Sequence, residues 1–178
     1  MLASEADADH RADAAYALGE FFATPGIAAC AQAIATDAEP RVRAAAASAL
    51  GRLNDDGAGA LTIALGDADP SVKLAALSSA ARVNTFSGLS AVAAITMDAD
   101  ARVRRRAVEV LDALRAKDTV VAVAAVAQSD ADPGVRAAAA HALGTFGDAS
   151  ARSVLQTLAT TDPDTFVRDQ AQIAMHRL

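Results

Sequence analysis

The 178-residue sequence has no tryptophan, one tyrosine, five phenylalanines and a single cysteine. With so little aromatic bulk, its 53% apolar content is carried mainly by Ala, Val and Leu, which suits thin, closely approaching layers better than a thick globular core. One cysteine excludes an internal disulfide and a multi-thiolate metal site, and Cys30, set in "GIAACAQAIA", reads as a small buried hydrophobe. No apolar run approaches a membrane span, and "MLASEADADH" lacks the basic and apolar regions of a signal peptide, so a cytoplasmic chain without membrane contact is expected. Positive charge is also scarce. The formal net charge of −6 opposes phosphate backbones, because nonspecific nucleic-acid affinity comes from Lys and Arg displacing counterions. Only Lys73 and Lys117 among the 16 basic residues are lysines. No alternating strand pattern, Ser-rich linker or low-complexity tail is present, so one all-α domain over residues 1–178 is expected.

What the sequence has in abundance is itself. Val42, Val72, Val103, Val135 and Val167 recur about every 31 residues, and His10 falls in the same frame. Each copy places an acid six residues before a base: Glu5/Arg11, Asp37/Arg43, Asp67/Lys73, Asp98/Arg104, Asp130/Arg136 and Asp162/Arg168. Seven residues after the base come Leu18, Leu50, Ala80, Leu111, Leu143 and Met175. Three further on come Phe21, Leu53, Val83, Leu114, Phe146 and Leu178, completing a helical face in every copy. A second set of helices is predicted near 25–36, 57–66, 87–97, 118–128 and 149–160, with apolar positions such as Ile34, Leu61/Leu65, Val92, Val121/Ala124 and Val154/Leu158. Asp69, Asp132 and Glu39 stand before Pro70, Pro133 and Pro40, a combination that starts helices, and "RLNDDG" and "FGDAS" supply residues that end them.

The stretches "DADPSVKLAAL", "DADARVRRRAV" and "DADPGVRAAAAHALG" resemble HEAT repeats, specifically the short, Ala-rich HEAT-like repeats of the phycobilisome lyase type. The resemblance covers nearly the whole chain, and neither tetratricopeptide nor ankyrin signatures are present. It implies a right-handed α-solenoid of about five and a half helix pairs, with repeats near 1–22, 25–53, 57–83, 87–114, 117–146 and 149–178. It also implies that Asp37, Arg43, Asp67, Lys73, Asp98, Arg104, Asp130, Arg136, Asp162 and Arg168 form a structural ladder between successive helix-pair turns. The last repeat carries Asp169 and Gln172 where inner repeats carry Ala44/Ala47 or Ala137/Ala140, as a solvent-facing cap would.

Positions that neither pack nor join the ladder fall three, six and ten residues after each Val, on the expected concave face. They include Tyr16, Arg52, Arg82, Arg106, Glu109 and His141. "ARVRRRAVE" adds Arg102 and crowds cations at a helix start, where they oppose the helix dipole. Local pairing of Arg104 with Asp98, Arg105 with Glu109 and the others with Asp100 or solvent would relieve this; an anionic partner is the functional alternative. Catalysis has no positive support: His10, His141 and His176 are not followed by Glu, as a deoxyhypusine hydroxylase-like metal site requires, and no nucleophile triad or phosphate loop is present. The expectation is a scaffold or subunit that binds a protein or peptide partner, with an acidic one matching the arginines, and with no cofactor, metal or nucleic acid. A bilin-lyase-like or other lyase-associated subunit is the alternative.

Overall fold

A computed structural model describes residues 6–21, 24–55, 57, 59–84 and 86–178. The chain divides into two compact units, residues 1–91 and 92–178. Among the described residues the structure is all α, with short 3-10 turns and no strand.

In the first unit, α1 (Ala8–Glu20), α3 (Pro40–Leu53) and α5 (Pro70–Ala80) lie side by side as one layer. The other layer holds α2 (Ile27–Thr36) and α4 (Ala60–Leu65), packed on α3 and α5 respectively. Val42, Val72, Leu50, Leu61 and Leu77 have no exposed surface, and the alanines between them let the helices approach closely. The unit boundary falls within α6 (Leu89–Ala94), which continues as a 3-10 turn over Ile95–Met97. In the second unit, α7 (Ala101–Ala113), α9 (Pro133–Phe146) and α11 (Thr165–Met175) form one layer. Here α8 (Val120–Ser129) and α10 (Arg152–Thr161) form the other.

The Asp-x-Asp sequence before each long helix serves two structures at once. Its second Asp is the N-cap: Asp69 accepts from Ser71 N–H, Asp100 from Arg102 N–H, Asp132 from Gly134 and Val135, and Asp164 from Phe166 and Val167. Glu39 occupies the same place before α3 but makes no side-chain cap bond. The first Asp folds the preceding turn, as when Asp130 Oδ1 accepts Asp132 N–H at 2.9 Å. Asn54 (φ 52°) and Gly147 (φ 64°) end α3 and α9 in the left-handed region.

Three expectations change in the structure. The helix expected over 57–66 begins only at Ala60, because Gly57 (φ 63°) and Gly59 (φ 91°) hold the chain outside the helical region. Val121, expected on the buried face of α8, is 78% exposed, and Val123, Val126 and Ala127 are buried instead. That helix is apolar all round, so its sequence sets no preferred face. Phe21, expected to close α1 against the core, is exposed at the helix C-cap.

Candidate functional site

The conspicuous charged pairs are joined across repeats. Arg11 donates Nε and Nη2 to Asp37, and Arg43 does the same to Asp67. In the second unit Arg104 reaches Asp130 and Arg136 reaches Asp162, at 2.7–2.9 Å. Within its own repeat each arginine donates Nη1 to the backbone carbonyl of the acid six residues earlier: Arg43 to Asp37, Arg104 to Asp98, Arg136 to Asp130 and Arg168 to Asp162. The local pairing of Arg104 with the Asp98 carboxylate is therefore corrected: the guanidinium takes the Asp98 carbonyl and gives its fork to Asp130. The physical reason is reach, since an arginine held against its own turn by Nη1 has Nε and Nη2 turned to the neighbouring turn. Glu5 lies outside the described residues. Lys73 sits in the third copy of the motif on α5, and Asp98 accepts the Asp100 N–H.

These bonds hold the Asp37, Asp67, Asp130 and Asp162 carboxyls below the ordinary carboxylate range, chiefly through the partner guanidinium and against the opposing effect of burial. Acids fixed in this way are poor general acids or bases at neutral pH. Cys30 is buried, and burial pushes its thiol up to about 11, which keeps it protonated and unreactive.

The positions three, six and ten residues after each Val are half-buried or exposed in both units, and none is buried. In the first unit Tyr16 is 54% exposed and carries the Arg52 guanidinium 4.6 Å above its ring. Arg52 Nε lies 3.3 Å from Glu20 Oε1 without hydrogen-bond geometry, and Nε and Nη2 are both shielded from solvent with no acceptor. Arg82 is exposed and has no ion pair among the described residues.

In the second unit the arginine-rich helix start is matched locally. Arg102 bonds the Asp100 cap, while Arg105 and Arg106 share Glu109 at 2.8 and 3.3 Å. The Arg102 contact holds the Asp100 carboxyl down to about 2. Beside them a groove of about 410 Å³ runs over α9 between α7 and α11. Arg105, Glu109, Asp112, His141, Phe166 and Gln170 line it over small residues of α9, so Glu109 and His141 come together there. Asp112 and Phe166 escaped the sequence reading. The available signal was a register break: Gly19, Gly51 and Gly144 stand nine residues after the frame position, and Asp112 stands there in α7.

A family model for HEAT repeats matches residues 1–81 and 89–176. The chain belongs to the HEAT-repeat family. No curated protein is matched at significant level. Among solved structures, human deoxyhypusine hydroxylase is similar with a TM-score of 0.60 and 20% identity, over 98% of this chain and 81% of that one. A designed armadillo repeat protein aligns with a TM-score of 0.66 and 18% identity, over 99% and 97% of the two chains. The complex of CpcE and CpcF of phycocyanin lyase from Nostoc aligns with a TM-score of 0.65 and 20% identity, over 94% and 71%. Likeness to a hydroxylase, a designed protein and a lyase together shows the fold alone, an all-α HEAT-like solenoid. Among the described residues no three His, Cys, Asp or Glu side chains are grouped to hold a metal ion. No described helix is long and apolar enough to cross a membrane.

Proposed function

We propose that this HEAT-repeat chain is a partner-binding subunit whose contact surface is the open face of α1, α3 and α5 and of α7, α9 and α11. The observation that carries this reading is the division of labour among its charges. Ladder arginines are held in bidentate bonds, whereas the open face of the first unit carries Tyr16 with Arg52 stacked on it and Arg82, which is exposed and has no ion pair among the described residues. A carboxylate-bearing protein or peptide segment matches those two cations, and local complementarity of this kind selects partners despite an acidic overall charge. On the second unit the corresponding helix face carries Arg102, Arg106, Glu109 and His141, where the cations already have acidic neighbours.

The test is binding of a partner captured from source cells and then purified. Changing Arg52, Arg82 and Arg106 to Glu abolishes that binding without loss of helicity, and raised salt weakens the wild-type interaction. Undiminished binding by the triple variant would place the contact surface elsewhere.

A lyase-associated subunit is the second reading, and it has the more direct support from the comparisons. The motif "DADPGVR" resembles the phycobilisome lyase type, and one similar structure is a phycocyanin lyase in which two chains form a complex. Under this reading the captured partner is another lyase chain or a bilin-bearing protein. A linear tetrapyrrole added to the assembled pair then shows a shifted absorption band, and an unshifted spectrum speaks for the plain scaffold.

A further inference from the structure

We propose that the groove over α9 receives a basic side chain, arginine or lysine, projecting from the partner, with Asp112 as its counter-charge. This deepens the proposed function by assigning the second unit a chemistry opposite to that of Tyr16, Arg52 and Arg82, and it rests on the reading that this face binds a partner.

The argument starts from the register. At the position nine residues along the frame, α1, α3 and α9 carry Gly19, Gly51 and Gly144 pressed against the next helix, while Ala81 and His176 stand there in the α5 and α11 copies. A Cβ on Gly51 would come within 2.8 Å of Ser79 Cα, and one on Gly144 within 2.7 Å of Ala174 Cα. In α7 that place holds Asp112, so a carboxylate stands where α1, α3 and α9 have no side chain.

Nothing in the described chain completes its hydrogen bonding. Asp112 Oδ1 is shielded from water and accepts no hydrogen bond. Oδ2 faces His141 Nε2 at 3.6 Å, beyond hydrogen-bond distance, and is the oxygen left for a ligand. The nearby cations Arg105 and Arg106 are both bonded to Glu109. The Asp112 side chain is 22% exposed, and among incoming groups a charged donor makes the strongest hydrogen bond to its Oδ2.

The rest of the groove suits a cation on a long apolar stem. Its floor is Ala137 and Ala138, and at the Gly134 end the groove is also lined by Arg105, whose Nε is bonded to Glu109, so the place for an incoming cation is the end at Asp112. Phe166 on the α11 side is 58% exposed, offering a ring face to methylene groups and to a guanidinium or ammonium. An acidic side chain would meet both Asp112 and Glu109, and a neutral one would leave the Asp112 charge unmatched.

The experiment titrates the full chain with a blocked alanine-flanked pentapeptide bearing arginine at its centre, and with the same peptide carrying citrulline, which keeps the shape and removes the charge. Backbone amide shifts are followed by NMR. The arginine peptide shifts amides of α7, α9 and α11 around the groove and binds at least about tenfold more tightly than the citrulline peptide. Asp112→Asn removes that discrimination. Phe166→Ala, which leaves the carboxylate in place, weakens both peptides and preserves their ratio. Shifts scattered over the acidic surface, equal binding of the two peptides, or undiminished discrimination in folded Asp112→Asn would each overturn the proposal. If instead the Arg52, Arg82 and Arg106 reversal leaves partner binding intact while the groove still prefers arginine, the acidic-partner reading fails and this one stands.

Discussion

Asp130→Ala tests how successive repeats are tied together. The substitution removes two bonds from Arg104, at 2.7 and 2.8 Å, and the Asp132 N–H bond at 2.9 Å that shapes the turn before α9. Arg104 keeps only its Nη1 bonds to the Asp98 and Ala99 carbonyls, at 3.0 Å each. The Asp130 and Arg104 side chains are 5% and 15% exposed, so the pair is neither fully buried nor freely solvated. Hydrogen bonds to charged groups contribute about 1.5–3 kcal/mol each in favourable settings, and partial solvent access reduces this. A total loss of about 2–4 kcal/mol follows, which corresponds to a fall in Tm of about 5–12 °C for a chain of this size. The assay is a pair of double-mutant cycles by thermal or denaturant unfolding. One combines Asp130→Ala with Arg104→Ala, and the other combines Asp130→Ala with Arg136→Ala. The first cycle has a coupling energy of about 1–3 kcal/mol and the second about 0.5 kcal/mol or less, because the bond of Arg136 to Asp130 is to its backbone carbonyl, which alanine retains. A larger coupling in the second cycle would show that the side-chain bond lies within the repeat and would refute the assignment.

Two further outcomes follow from the packing and the charges. Gly144→Ala pushes a methyl group against Ala174 Cα and Cβ at 2.7 Å, so α9 and α11 must separate. Overpacking of about 1–3 kcal/mol outweighs the gain of about 1 kcal/mol in helix propensity, and Tm falls by a few degrees; a rise would show that the interface yields freely. Acid acts on the ladder in one direction. The native Asp37, Asp67, Asp130 and Asp162 carboxyls titrate below their unfolded values. Their stabilisation is complete above the unfolded carboxylate range, near pH 4, and is lost as pH falls through the native values. Melting followed by circular dichroism therefore stays level between about pH 5 and 8 and drops below about pH 4, with a shallower drop in Asp130→Asn. An acid slope unchanged by that variant would remove Asp130 from the account.

The sequence by itself determined the repeat and its parts. Val42, Val72, Val103, Val135 and Val167 mark the period and are all fully buried, because a helix docked on two neighbours must repeat its apolar contact at every copy. Asp69, Asp132 and Asp164 start helices through bonds that span two or three residues, so their role needs no knowledge of distant chain. The positions three, six and ten residues after Val were legible as the open face for the same reason, since helical spacing alone separates them from the buried positions.

Tertiary structure alone decided which groups meet between helices. Arg104 is six residues from Asp98 and 26 from Asp130, yet its fork belongs to the latter, because the distance between stacked turns sets side-chain partnership where sequence spacing does not. Val121 is exposed because α8 is apolar on every side, and only its neighbours select the face that is buried. The groove follows the same rule. Asp112, His141 and Phe166 lie on three different helices, and they become one surface only when α7, α9 and α11 pack side by side.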